Sequence, residues 1–341
     1  MARDIFDPRE AAARQDMYGK FLAKFDKLSP WKREINPGGS TEISKEKNEK
    51  YRIEHLRNPE DKRVEGSHRL LAKIFGKGEV DSLDTIKTAM AGKVVGDEET
   101  ADIPLIVTTV ENNKGEVVGT THSSILESFD DDFSGTGKSF AIDAYTAVDP
   151  EEQNKNLGLE MYRHRIEELV AEAEKQGKPL DSIVAEVHGD AEEFYNKVGL
   201  KRLYFKGQDQ KMRELPYYQS VLADAWNKKT GQPREGEERV PEHLMIASLD
   251  GRNEITAEEL LEKIRAMMDY NSFQTEGYFG KNKKAYEAHM NVLENDLLEL
   301  EKALSGTKDG RIALLSAEER NQMLSYDKDL FIEHTAADEE K

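Results

Sequence analysis

The stretch 141–200 constrains the fold most. An apolar run, A-I-D-A-Y-T-A-V, ends at Val148, and the polar turn D-P-E-E-Q-N-K-N follows. Met161, Tyr162, Ile166, Leu169 and Val170 then fall at helical spacing, with Gly177 and Pro179 as stop signals. A second apolar run, S-I-V-A-E-V, leads into A-E-E-F-Y-N-K-V-G-L. The order is strand, turn, helix, strand, short helix. A strand feeding a turn that opens a helix makes an anion site, because the first N–H groups of a helix have no internal partner. Asn156 and Gly158 tolerate a positive φ or a close ligand approach. Asn154, Lys155, Asn156, Leu157, Gly158 and Leu159 offer successive N–H groups suited to a pyrophosphate, and Lys155 adds a charge. The plainer alternative is a helix start with one glycine. Asp190 reads as the cap of the short helix with Glu193 as its capping-box partner. Tyr195 is then either a core tyrosine or a phenol aimed at the strand-end crevice.

Around this unit the chain alternates helices and strands. Asp7-Pro8-Arg9-Glu10 is a capping box ahead of a helical stripe at Met17, Phe21, Leu22, Phe25 and Leu28. Residues 35–65 are polar and read as a loop plus a solvated helix. Leu70, Leu71, Ile74 and Phe75 mark a helix stopped by Gly76 and Gly78; Leu83, Ile86 and Met90 mark another, and 92–103 is a polar loop. Residues 105–110 and 117–126 read as a β-hairpin, followed by an acidic loop over 127–138. R-L-Y-F, P-Y-Y-Q-S-V-L and H-L-M-I-A-S-L are strand candidates, with a turn over 208–214 and a polar loop over 226–241. Thr256 with Glu259 caps a helix through Met268. Tyr286, Met290, Leu293, Leu297, Leu300 and Leu304 form a short heptad seam, expected to pack within the chain or, as the alternative, in a homodimer. A frayed acidic tail, A-A-D-E-E-K, is expected at 336–341.

Composition excludes several function classes. With 49 basic against 68 acidic residues, the net charge of −19 disfavours nucleic-acid binding, which rests on phosphate neutralisation. The chain has no cysteine, which removes thiolate catalysis, disulfides and cysteine-ligated zinc, and its 8 histidines show no metal spacing. No apolar run approaches the ~20 residues of a membrane span, and the first ten residues lack a signal-peptide core. A cytoplasmic protein is expected. S-G-T-G-K-S at 134–139 is not a phosphate loop, since Asp132 replaces the first glycine and a strand follows. D-G-R-N-E at 250–254 is not a calcium loop, since Arg252 falls on a ligand position.

The combination V-D-P-E-E-Q-N-K-N-L-G-L-E-M-Y, I-V-A-E-V and A-E-E-F-Y-N-K-V-G-L resembles the GNAT superfamily of acyl-CoA N-acyltransferases. That family's pyrophosphate loop reads Q/R-x-x-G-x-G/A; here it is Gln153-x-x-Asn156-x-Gly158, with asparagine in place of the first glycine. The resemblance is clear over about 104–205. It implies an α+β fold with a mixed, mostly antiparallel sheet flanked by helices. It also implies a GNAT-like domain over 66–255 between helical N- and C-terminal extensions, 1–65 and 256–341. Acetyl-CoA, as acyl donor, is expected in a V-shaped gap between the strands 141–148 and 183–187, with its pantetheine arm on the backbone of Ala147 and Val148. An amine would attack the thioester, and Tyr195 would protonate the leaving sulfur. Asp143, Glu186 and His188 are the candidate bases by location, with Glu186 and His188 on one strand face. The acidic loop Glu127, Asp130, Asp131, Asp132 sits before the central strand, where a cationic amine is expected to enter. The alternative is a GNAT-fold acyl-CoA-binding or scaffold protein without turnover.

Overall fold

A computed structural model describes residues 8–37, 39–46, 49–76, 79–93, 104–219, 226–234 and 240–332. In chain order the elements are α1 (Pro8–Leu28), β1 (Lys32–Ile35), β2 (Thr41–Glu46), β3 (Glu49–Leu56), α2 (Lys62–Ile74), α3 (Leu83–Met90), β4 (Ile106–Glu111), β5 (Val117–Phe129), β6 (Gly135–Val148), α4 (Leu157–Lys175), β7 (Leu180–Val187) and α5 (Glu192–Lys197). Then follow β8 (Lys201–Gly207), β9 (Met212–Glu214), β10 (Tyr218–Gln219), β11 (Val240–Pro241), β12 (His243–Ser248), β13 (Glu254–Thr256), α6 (Ala257–Phe279), α7 (Lys283–Ser305), β14 (Thr307–Leu315), α8 (Ala317–Tyr326) and β15 (Phe331–Ile332).

The main sheet runs β1-β2-β3-β4-β5-β6-β7-β12-β8-β14-β13. Along this order the described pairings are antiparallel except β6 with β7. A parallel pair needs a crossover, and α4 supplies it. One sheet face is covered by α4 and α1, where Tyr18, Phe21 and Phe25 meet Tyr162, Ile166 and Leu169. α2 packs on the opposite face beside β5, where Ser67 meets His122. α6 and α7 cover that face further along, with Leu260 and Leu293 packed against Leu126 and Phe140.

The strand-helix unit, the β4–β5 hairpin and helices α2 and α3 lie where the spacing places them. Residues 35–65 do not form a loop and solvated helix: they contribute β1, β2 and β3 to the main sheet. The readable signal was period two, since Ile43, Tyr51 and Ile53 are buried between charged neighbours. The acidic loop over 127–138 shrinks to a tight turn, because β5 extends to Phe129 and β6 starts at Gly135. The expected turn over 208–214 contains β9. β14, which begins beyond the heptad helix and turns at Gly310 (φ 69°), inserts beside β8 and was not anticipated. The sheet thus crosses both expected domain boundaries. Thr256 and Glu259 form their capping box, but the helix runs to Phe279 rather than Met268. Leu293, Leu297, Leu300 and Leu304 bury against Leu260, Ile264 and Met267 of α6 and Ile312 of β14 within the same chain. The Asp7 cap, Gly78, most of the 92–103 loop, parts of 216–222 and 226–241, and the acidic tail lie outside the described residues.

Two buried histidines make stability depend on pH. His122 packs between β5 and α2, with Nε2 2.8 Å from Ser67 Oγ, and burial pushes its pKa down to about 3. His289 of α7 lies 4.2 Å from the Trp226 ring, and burial pushes it down to about 4. Unfolding returns both to the ordinary value near 6.5, so the unfolded chain binds more protons between these limits. Stability is therefore complete above pH 7 and lost on acidification. From pH 6.5 to 5.5 the two sites together are expected to cost about 2 kcal/mol. Urea midpoints across that range check the loss, which His289→Phe is expected to reduce.

Candidate functional site

The site begins with an irregularity in β6. His122 pairs with Tyr145 and Ser123 with Asp143, so the register shifts and Ala144 is the extra residue of a β-bulge. Without the bulge, residues three apart would face opposite sides of a sheet. With it, Thr146 Oγ1 lies 3.0 and 3.1 Å from the two Asp143 carboxylate oxygens, on the α4 face. Beyond Asp143 the recorded β6–β7 pairing ends, at Asp143 opposite Ala185. The strands part there, which forms the expected V-shaped gap.

A cleft of about 600 Å³ opens at this point. Thr146 and Val148 of β6, Gln153, Asn154, Asn156 and the start of α4, and Phe194, Tyr195 and Lys197 of α5 line it. The turn and Phe194-Tyr195, a strand apart in the sequence, thus share one concavity. Asn154 (φ 63°) and Asn156 (φ 66°) both adopt the left-handed conformation. Asn156 occupies the N-cap of α4 without a side-chain capping hydrogen bond, so its side chain leaves the first-turn N–H groups to other acceptors. Gly158 lines the cleft, and a Cβ there would sit 3.1 Å from the Phe194 ring and 3.5 Å from Val148. It lets α4 start against α5.

The loop is pinned from the N-terminal strands. Trp31 Nε1 donates to the Lys155 carbonyl at 2.9 Å, and Tyr51 Oη donates to Glu152 at 2.5 Å. The Lys155 ammonium turns to Glu152 (2.6 Å), a residue of the cleft lining, and Lys155 itself is not among the lining residues. Gln153 Nε2 donates to the Val148 carbonyl at 3.1 Å. Ala147 pairs with Thr120, and its side chain packs with Leu71 and Val80, away from the cleft. Three carboxylates at the rim each hold a cation: Glu152 holds Lys155, Asp190 holds His188 at 2.7 Å, and Glu193 holds Lys197 at 2.7 Å. Asp190 and Glu193 therefore do not form a capping box. A 3₁₀ turn over Gly189–Ala191 puts Ala191 at the N-cap position instead.

The base candidates separate. Asp143 is sealed from solvent, paired with Arg165 Nη1 at 2.5 Å and set behind the residues that line the cleft. Burial pushes its carboxyl up, and the Arg165 and Thr146 contacts work against that. His188 lies beyond the end of β7, exposed and held by Asp190. Glu186 accepts a hydrogen bond from Tyr217 Oη at 2.6 Å, on the face opposite α4. That face also carries Tyr145, which contacts Asp81, and Tyr270 of α6, which contacts Ser124 at 3.1 Å. Tyr195 lies on the α4 face, buried against Phe194 and Tyr162. Burial first, then Asp143, raises its phenol well above the usual value, so it keeps its proton at neutral pH. The acidic turn at Asp130–Asp132 lies at the other end of β6, beside the Phe129–Gly135 pair, away from the cleft. Two contributors escaped the sequence reading: Thr146, displaced by the bulge, and Arg165, whose signal was a charge inside the apolar stripe of α4.

No family model and no curated protein matches the chain. Solved structures do resemble it. One is the GCN5-related glucosamine N-acetyltransferase region of a fungal multi-domain β-N-acetylglucosaminidase, at 17% identity and TM-score 0.32 over 46% of this chain and 18% of that one. A second is the ribosomal-protein-S18-alanine N-acetyltransferase from Escherichia coli, at 16% identity and TM-score 0.33 over 58% and 94% of the two chains. A third is glucosamine-6-phosphate N-acetyltransferase from Arabidopsis thaliana, at 19% identity and TM-score 0.31 over 43% and 89%. None of these likenesses assigns an activity; what the cleft can do follows from its own residues.

Proposed function

We propose that the protein is an acyl-CoA-dependent N-acyltransferase that uses acetyl-CoA as donor and an amine, cationic in solution, as acceptor. The observation that carries this reading is the single cleft in which the splayed end of β6, the uncapped N-terminus of α4 and Tyr195 meet. The residues suit a CoA group. First-turn amides of α4 suit its pyrophosphate, Val148, Leu157 and Phe194 give apolar lining, and the rim carboxylates are already paired.

The thioester supplies an activated acyl carbon. An acceptor bound as an ammonium first loses one proton to Glu186 or to water held by it. The freed nitrogen lone pair forms the new bond to that carbon, the carbon–sulfur bond breaks, and the second nitrogen proton passes through water to the departing thiolate. Glu186 and Tyr195 flank the gap from opposite faces, so the base stands on the acceptor side and the acid on the sulfur side. Because its phenol is a weaker acid than in water, Tyr195 acts chiefly by donating a hydrogen bond to the departing sulfur. The net charge of −19, with Asp81 and Glu186 on the acceptor face, supports a cationic acceptor held initially as an ammonium. No described helix is long and apolar enough to cross a membrane, and a cytoplasmic location is part of this reading.

Thiol release from acetyl-CoA with a panel of polyamines, aminoglycosides and lysine peptides tests the proposal. Release with an acceptor supports it. Thermal stabilisation by CoA without release from any acceptor returns the protein to an acyl-CoA-binding role. The pinned loop gives a second test. Trp31→Phe keeps an aromatic ring at the position but deletes the hydrogen bond to the Lys155 carbonyl. It is expected to weaken CoA binding about fivefold, the equivalent of roughly 1 kcal/mol, in a calorimetric titration.

A further inference from the structure

We propose that the buried Arg165–Asp143 ion pair is the positioning device of the cleft: it fixes the Tyr162 ring against which Tyr195 packs, and the Thr146 side chain at the cleft wall. This inference rests on the acyltransfer reading above. Arg165 projects from α4 into the sheet and is fully buried. Its Nη1 lies 2.5 Å from Asp143 Oδ1, 3.0 Å from Ser123 Oγ and 3.2 Å from Thr121 Oγ1. Its guanidinium stacks 3.8 Å from the centre of the Tyr162 ring, and Tyr162 in turn meets Tyr195 edge-on at 6.3 Å.

From this pair the contacts run outward to the cleft. Asp143 accepts from Thr146 Oγ1 through both oxygens, and its carboxylate also interacts with the Tyr195 phenol. Thr146 and Tyr195 line the cleft, whereas Asp143 and Arg165 do not. A buried charge pair is expensive to assemble and is often no more stabilising than apolar residues of the same volume. Here it sits directly behind the two hydroxyls that face the gap, and the bulge at Ala144 brings Asp143 and Thr146 onto one face. Thr146 spends its one proton on Asp143 and so shapes the wall, while Tyr195 is aimed by its ring contacts with Tyr162 and Phe194 and keeps its proton for the sulfur. Arg165 and Asp143 are thus positioning residues, acting through Tyr195 and Thr146.

The test is a set of full-length variants: Asp143→Asn with Arg165→Met, Tyr195→Phe, and the three combined. The charge-free pair is expected to fold, since neither charge is left uncompensated. Its kcat is expected to fall at least 20-fold with KM for acetyl-CoA within about threefold of wild type. The combined variant is expected to lie within about threefold of Tyr195→Phe alone, because the pair acts through that phenol. Wild-type kcat in the charge-free variant, or losses that multiply with Tyr195→Phe, overturns the proposal while leaving the acyltransfer reading standing. Absence of thiol release by the wild-type protein with every acceptor overturns both. Should the charge-free variant not fold, Thr146→Val decides the matter. It removes the hydroxyl that Asp143 holds at the cleft wall, and an unchanged kcat there contradicts the proposal.

Discussion

Asp143→Ala is expected to destabilise the protein by about 3–5 kcal/mol, the cost of leaving a buried guanidinium without its counter-charge. Arg165 has no exposure, and beside Asp143 it meets only uncharged groups, the hydroxyls of Thr121 and Ser123 and the Tyr162 ring. None of these can replace a carboxylate 2.5 Å away. The loss is expected in the urea midpoint at unchanged slope, and removing Arg165 as well is expected to recover most of it. An exposed carboxylate such as Asp131, changed the same way, is expected to shift the midpoint by less than ~0.5 kcal/mol. A destabilisation that small at Asp143 contradicts a sealed pair. It would reopen Asp143 as a solvent-reachable base.

Tyr195→Phe is expected to lower kcat about 100-fold while CoA affinity changes less than about threefold. The ring keeps its packing against Phe194 and Tyr162, so only the hydroxyl is lost. Steady-state rates with acetyl-CoA at saturation, paired with a CoA titration of both proteins, separate the two effects. Equal turnover in the variant removes Tyr195 from the mechanism and leaves it a core residue. A matched loss of affinity and turnover instead makes it part of the donor site.

Much of this site was legible in the sequence because its signals are local. Asn156 adopts the left-handed conformation that makes asparagine a tolerable stand-in for glycine, and the spacing from Gln153 to Tyr195 places both ends of the cleft. What was not legible depends on contacts far apart in the chain. Asp143 keeps the alternation of Ala141 and faces α4, and the bulge at Ala144, one residue of register, brings Thr146 onto the same face. Lys155 reads as a phosphate ligand until β3 brings Tyr51 beside Glu152 and draws the ammonium to that carboxylate. The acidic residues 130–132 read as a substrate entry until the length of β6 carries them to the far end of the strand. The strands β1 to β3 were hidden by their charge: alternate residues face solvent, so the segment looks polar throughout, although Ile43 and Ile53 are fully buried. The terminal segments are also more than appendages. Trp31 braces the cleft loop, and Tyr270 of α6 stands on the acceptor face beside Ser124.

The central claim is that backbone amides at the start of α4 hold the donor in the gap beside Tyr195. Amide hydrogen exchange over 153–159, with and without CoA, tests it most directly. Saturating CoA is expected to slow exchange at these residues, with little change at the Asp130–Asp132 turn. Desulfo-CoA, which keeps the pyrophosphate, is expected to protect them as well. Exchange over 153–159 unchanged by CoA at concentrations that raise the melting temperature would contradict that claim, because the ligand would then be held elsewhere.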